Sequence, residues 1–230
     1  MTGRKRVAVL ASGGGSNLQA VIDHLARLGE RRAADVSLVA VGREQAGALD
    51  RARRAGVPGV VARPDAMADV LAEHAIDLVV LAGYLALVPA AVTERWAGRI
   101  INVHPALLPA FGGHGLYGLR VHRAALEAGV RITGATVHFV DADYDRGPII
   151  AQWPVPVAAD DSVDTLAARV LRVEHALLPR AVDAVARGSV ALGGDGRVRG
   201  GIAAAPPSAF SLHMPDDLTL ATEIDALFAA

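Results

Sequence analysis

The 230-residue sequence predicts an α/β protein, a doubly wound and mostly parallel sheet in a single domain. Three features carry that expectation. Short β-branched and aliphatic runs recur along the first hundred residues without polar alternation, as strands do when helices cover both faces. Segments with apolar residues at helical spacing separate them. The first run ends in three consecutive glycines, Gly13, Gly14 and Gly15, where a helix begins.

Residues 7–11 form the first strand. The glycines after it permit backbone angles and close approaches that a side chain would forbid. Ser16 or Asn17 fits the cap of a helix whose Leu18, Val21, Ile22, Leu25 and Leu28 share one face. Unpaired N–H groups and the helix dipole both point at such a turn and make it an anion site. The pattern is neither GxGxxG nor Gly-Lys-Ser/Thr, so a single phosphate is the more economical ligand than a dinucleotide or nucleoside triphosphate.

The alternation continues with a strand at 36–41, a helix at 45–55, a short strand at 59–62, a helix at 65–74 opened by Pro64 and Asp65, and a strongly apolar strand at 76–82. Four such units imply a parallel sheet whose ligands sit beyond the carboxyl ends of its strands. The loop 83–88, GYLALV, falls at that end and is mostly apolar; it reads as a wall for a flat ring or as a lid on the core. A helix at 90–97 leads to a strand at 99–103. Near its end, alternation sends Asn102 and His104 to one face, with Pro105 and Pro109 close behind.

Residues 105–118, rich in glycine and proline, have the length of a functional loop. A helix at 119–128 and a strand at 132–140 follow. Asp141, Asp143 and Asp145 then stand two apart, but Arg146 and Gly147 do not supply the glycine and glutamate of a calcium loop, so no metal is expected. A strand at 149–155 precedes a long helix at 163–187, capped from Asp160 or Asp161 to Ser162. Glu174 and His175 lie mid-helix, and Glu174 reads equally as a ligand-facing or an exposed residue. Residues 190–192 and 197–199 suggest a hairpin. Beyond Gly200 comes a linker-like stretch with a terminal helix from Leu218. Residues 1–200 thus read as the domain and 201–230 as an extension.

With 23 basic and 24 acidic residues the formal charge is −1, so no overall field draws the chain to nucleic acid or an anionic membrane, and a phosphate is bound locally. The absence of cysteine excludes disulfides, thiolate nucleophiles and cysteine metal sites and suits the cytoplasm. The apolar run near the N-terminus is too short for a signal peptide. The uncharged stretch 78–92 is short of the roughly 18 residues that a membrane span needs. A soluble, cytoplasmic protein is expected.

No nucleophile elbow is present, so chemistry here is direct transfer between two bound substrates. In acyl transfer to an amine, the Asn102 amide can meet the developing oxyanion. The His104 imidazole can move the protons, and Asp145 beside it is expected to raise its pKa so that the charged form is available as a donor.

The segments VLASGGGSNLQAVI, INVHPALLPAFGG and TVHFVDADYDRGPIIAQ, with Glu174-His175-Ala176, closely resemble the folate-dependent phosphoribosylglycinamide formyltransferase family, over about residues 7–199. The Asn-x-His-Pro-x-Leu-Leu-Pro segment is shared by the wider superfamily and marks the chemistry; the glycine turn is more specific for a ribose-phosphate acceptor. The resemblance implies a formyltransferase-type doubly wound fold. It implies transfer of the formyl group of 10-formyltetrahydrofolate to the amine of glycinamide ribonucleotide in purine synthesis, without a metal. Asn102, His104 and Asp145 match the catalytic trio, and Gly15, Ser16 and Asn17 the phosphate turn. Glu174 matches the residue that contacts the acceptor. Arg63, Leu85, Ala86, Leu87, Val88, Val140 and Asp141, with Asn102, match the folate site. Ala86 departs from the arginine that many members carry, residues 112–118 are longer than the common pattern, and the helix after Arg63 is shortened. His138, by the same resemblance, lies near the site, and reads equally as a hydrogen-bonded strand histidine.

Two other readings compete: hydrolysis of the same folate, and a non-enzymatic phosphate-binding module. Formylation of methionyl-tRNA is disfavoured because no basic C-terminal RNA-binding domain is seen. The expected partners are small molecules only, in a monomer or homodimer.

Overall fold

A computed structural model describes residues 3–200 and 216–228. In chain order the elements are β1 (Lys5–Ala11), α1 (Ser16–Leu28), β2 (Ala34–Val41), α2 (Ala48–Arg54), β3 (Gly59–Val61), α3 (Met67–Glu73), β4 (Leu78–Leu81), α4 (Ala90–Arg95) and β5 (Ile100–His104). Then come α5 (Leu119–Glu127), β6 (Ile132–Phe139), β7 (Ile149–Pro156), α6 (Val163–Arg187), β8 (Val190–Leu192), β9 (Val198–Gly200) and α7 (Asp217–Leu227). Seven strands form one sheet in the order β3-β2-β1-β4-β5-β6-β7, and β8 with β9 forms a separate hairpin. The β3 to β5 part is parallel, whereas β6 and β7 add antiparallel to the β5 edge. The expected doubly wound, mostly parallel sheet is therefore observed, and its antiparallel share is confined to one side.

Alternation along the buried strands divides the core between the two faces. Val7, Val9 and Ala11 of β1 pack with Val80, Ile101 and the α1 and α6 residues Leu18, Val21, Val173 and Leu177. Ala8 and Leu10 pack on the opposite face with Leu38, Val79, Met67, Leu71 and Trp96. The indole N–H of buried Trp96 donates to the Ile76 carbonyl at 2.8 Å, so the large ring enters the core without an unpaired donor.

The strand order reverses at β1, so the turns after β1 and β4 open side by side at the switch point. They are tied together: the Ser12 N–H donates to the Gly83 carbonyl at 3.1 Å, and the Leu85 N–H to the Ser12 hydroxyl at 3.0 Å.

Local details differ from the sequence expectation. Gly15, at φ 73°, is the N-cap residue of α1, and neither Ser16 nor Asn17 caps the helix. Helix α2 begins only at Ala48, because the chain before it packs on the glycine turn: a Cβ on Gly47 would lie 3.3 Å from Gly14 Cα, and the Ala48 N–H donates to the Gly13 carbonyl. Helix α3 begins at Met67, after a 3-10 turn at Pro64–Ala66. The expected cap of α6 is present as a capping box between Ser162 and Thr165.

Helix α7 packs on α6, burying Leu220 and Ile224, with ion pairs from Arg172 to Asp217 and from Arg180 to Asp225. The linker-like stretch 201–215 lies outside the described residues. Among the described residues no helix is long and apolar enough to cross a membrane.

Candidate active site

Strand β5 delivers Asn102 and His104 to the ligand end of the sheet, where its antiparallel pairing sets Asn102 opposite His138 and His104 opposite Thr136. The loop after His104 is pinned to β6. The Thr136 hydroxyl donates to the Ala106 carbonyl at 2.6 Å and accepts from the Leu108 N–H at 3.0 Å. Asp145 comes from the β6–β7 loop in a left-handed conformation, φ 54°, and accepts the Gly113 N–H at 2.9 Å. Gly112 makes this approach possible, since a Cβ there would lie 2.4 Å from Leu108 Cδ2 and 3.2 Å from Asp145 Cβ.

His104 is buried between two oxygen acceptors. Its Nε2 is 2.8 Å from the Phe111 carbonyl and its Nδ1 is 3.4 Å from Asp145 Oδ2. His138 has its Nδ1 2.7 Å from the Phe139 carbonyl and its Nε2 3.1 Å from Asn102 Nδ2. With the proton on Nδ1, Nε2 accepts one Asn102 amide N–H and the second remains for a ligand; with a proton on Nε2, that edge faces Asp145 as a donor. The Asp145 carboxyl is also 3.7 Å from His138 Nε2. His138 is thus both a bonded strand histidine and a wall of the site.

Burial pushes the His104 pKa below its ordinary value, and the opposing pull of Asp145 and the Phe111 carbonyl does not reverse it. Asp145 pulls the value up as expected, but the expected net rise is corrected: removing the ring from water outweighs one carboxylate at this distance. Burial pushes the Asp145 carboxyl up, but His138, His104 and the Gly113 N–H together hold it below the usual carboxylate range. His122 of α5, which no motif singles out, is buried nearby; burial first and His104 second push it down to about 4.

Asn102, His104, His138 and Asp145 line a cleft of about 300 Å³. Leu85, Ala86, Leu87 and Val88 form one wall, with Leu85 and Leu87 half exposed; Val140, Asp141 and the 113–118 loop form others. Asp141, Asp143 and Asp145 do not converge: Asp145 faces the imidazoles, while Asp141 accepts the Asp143 N–H at 3.0 Å. Arg63 is outside the cleft, exposed and bonded to Asp65 at 2.6 Å.

Gly15, Ser16, Asn17 and Glu174 gather instead around the glycine turn. Glu174 is buried, not an exposed helix residue. It accepts the Asn17 amide at 2.6 Å, and burial raises its pKa to about 7 against the pull of that bond. Asn17 Oδ1 and His175 Nε2 are buried without a partner among the described residues. Such atoms are rare in folded proteins and mark where ligand atoms can complete the bonding. Arg51, unmarked in a sequence full of arginines, donates to the Gly14 carbonyl at 2.7 Å and, behind burial, depresses His175. Only its position on α2 against the turn distinguishes it.

The fold and its two adjoining sites define a class: an α/β protein with an anion turn at the switch point and an amide, imidazole and carboxylate at the end of a nearby strand, equipped for group transfer between two small ligands. Residues 5–182 match the formyl transferase family model, and the chain belongs to that family. The chloroplastic phosphoribosylglycinamide formyltransferases of Arabidopsis thaliana and Vigna unguiculata are 42% and 41% identical over 79% of this chain, which spans 65% and 61% of their own length. A glycinamide ribonucleotide transformylase 1 structure from Symbiobacterium toebii superposes with a TM-score of 0.79 at 42% identity, covering 86% of this chain and 95% of that one. A formyltetrahydrofolate deformylase from Pseudomonas syringae pv. tomato is more distant, at 26% identity and a TM-score of 0.75, covering 86% of this chain and 66% of that one.

Proposed function

We propose that the chain transfers the formyl group of 10-formyltetrahydrofolate to the amine of glycinamide ribonucleotide, giving formylglycinamide ribonucleotide in purine synthesis. The observation that carries this reading is a glycine turn with a buried carboxyl, Glu174, opening at the same switch point as the Asn102, His104 and Asp145 cluster. The names and identities of the relatives point the same way.

In this reading the N–H groups of Gly15, Ser16 and Asn17 take the acceptor's phosphate, and Glu174 takes its polar body. Leu85, Ala86, Leu87, Val88, Val140 and Asp141 enclose the folate ring; Arg63 lies outside the cleft that they line. The amine attacks the formyl carbon and a C–N bond forms. The carbonyl oxygen becomes an oxyanion that accepts the free Asn102 N–H. The depressed pKa makes His104 a neutral base at neutral pH, ready to take the proton the amine loses. The imidazolium so formed has an oxygen at each nitrogen, Phe111 and Asp145, and returns a proton to N10 as the old C–N bond breaks. We place this in the cytoplasm, in a monomer or homodimer acting only on small molecules. Residues 1–200 form the catalytic domain and 201–230 an extension.

The test is incubation of the purified chain with 10-formyltetrahydrofolate, with and without glycinamide ribonucleotide. Amine-dependent loss of the formyl group is expected. Turnover independent of the amine would assign a hydrolase instead, and no turnover a binding module.

A further inference from the structure

Of the residues that line the cleft, Arg120 alone carries a guanidinium or ammonium group. The other charged lining residues are the carboxylates Asp141, Asp143 and Asp145, and Leu85 to Val88 offer only apolar side chains. Arg120 sits in the first turn of α5, next to Leu119 and after Gly118, whose φ of 53° turns the loop into the helix. Its N–H donates to the Tyr117 carbonyl at 3.2 Å, and its guanidinium lies over the Tyr117 ring, 4.7 Å from the centroid. Among the described residues, that ring is the only partner of the guanidinium, whose N–H edge meets no hydrogen-bond acceptor or carboxylate. A planar cation laid on an aromatic face, with its fork of donors free, is preorganised for a carboxylate.

The cosubstrate of the function proposed above carries such groups, the α- and γ-carboxylates of its glutamyl tail. Asp141 and Asp143 repel an anion along the rest of the lining and leave the Arg120 side as the place for it. We propose that Arg120, held by Tyr117, is a specificity-determining residue that receives the tail carboxylates of the folate cosubstrate. This rests on the reading of the cosubstrate as a formylfolate. The reacting atoms are left to Asn102, His104 and Asp145, so Arg120 selects and orients without touching the chemistry.

The experiment compares kcat/KM for 10-formyltetrahydrofolate with that for 10-formyltetrahydropteroate, which lacks the glutamate, at saturating glycinamide ribonucleotide. Both are measured on the same preparation, so a folding defect cancels in the ratio. The unmodified chain should favour the tailed compound by about three- to tenfold, as expected for a partly exposed bidentate pair, and less so at high salt. Arg120→Ala should bring the ratio close to one, Arg120→Glu below one, and Arg120→Lys should keep part of the preference. An equal ratio in the unmodified chain and Arg120→Ala overturns the assignment, as does a change confined to KM for the ribonucleotide. Absence of amine-dependent transfer by the unmodified chain with either compound overturns the functional reading as well, and so is distinguishable from failure of Arg120 alone.

Discussion

The glycine turn and the His104 cluster are built by opposite means. The turn uses backbone from one contiguous strand-to-helix passage in the parallel half of the sheet, and its carbonyls are consumed by Ala48, Arg51 and Gln19. The cluster uses side chains from β5, β6 and the β6–β7 loop, braced by the Phe111 carbonyl and the Gly113 N–H, on the border with the antiparallel half. The difference teaches that the first site is fixed by conformation and the second by desolvation. A turn made of N–H groups works wherever the backbone holds its shape. A buried imidazole works only while its neighbours set its protonation.

Perturbing each region should therefore leave different signatures. The largest effect falls on the cluster: His104→Ala should lower kcat by roughly 10²–10⁴-fold, the usual loss when acid–base catalysis is removed. Steady-state formyl transfer reads this, and activity within a few-fold of the parent would erase the distinction between the regions.

The exception on the turn side is Glu174, a desolvated group. Native Glu174 keeps its proton up to about pH 7 whereas an ordinary glutamate loses it near 4.5, so its favourable contribution is full below about 4.5 and is lost as pH rises to 7. Glu174→Gln should accordingly be more stable than the parent above pH 7, by a gain of order 3 kcal/mol that fades toward pH 4.5. Denaturant midpoints across that range measure it; a gain that does not vary with pH would show that Glu174 is not held protonated.

Thr136→Val should cost about 1–3 kcal/mol, since it leaves the buried Leu108 N–H without its acceptor. The loop that follows His104 should loosen, and chemical denaturation with hydrogen exchange at the amides of residues 106–108 would show whether it does. An effect of similar size is expected for Gly15→Ala. Its left-handed φ of 73° and a Cβ placed 2.9 Å from Ala48 Cα strain the turn by roughly 1–3 kcal/mol. That strain should raise KM for the ribonucleotide and spare KM for the folate. A matching rise in both constants would mean that the two regions are one unit.

The sequence was most informative where local pattern and geometry coincide. Apolar runs located every strand of the sheet, and Asn102, His104 and Asp145 could be named because each stands in a short motif. The direction of the His104 shift could not be read, because it depends on how completely Phe111, Gly113 and β6 exclude water, a property of packing and not of neighbours in sequence. Glu174 was ambiguous for a related reason: its partner Asn17 is 157 positions away. Arg51 and Arg120 were hidden among many arginines, and only the folded chain shows one on the glycine turn and the other at the cleft.

Helix α7 runs parallel to the segment of α6 that carries Glu174, as the paired order of Arg172 with Asp217 and Arg180 with Asp225 requires. The cross-helix charges and the insertion of Leu220 and Ile224 hold the two helices together. Concentrated salt would weaken the charges far more than the apolar insertion, so brine should loosen this clasp before the sheet responds. Helix α7 then acts as an ionic-strength-dependent splint on the helix that carries Glu174.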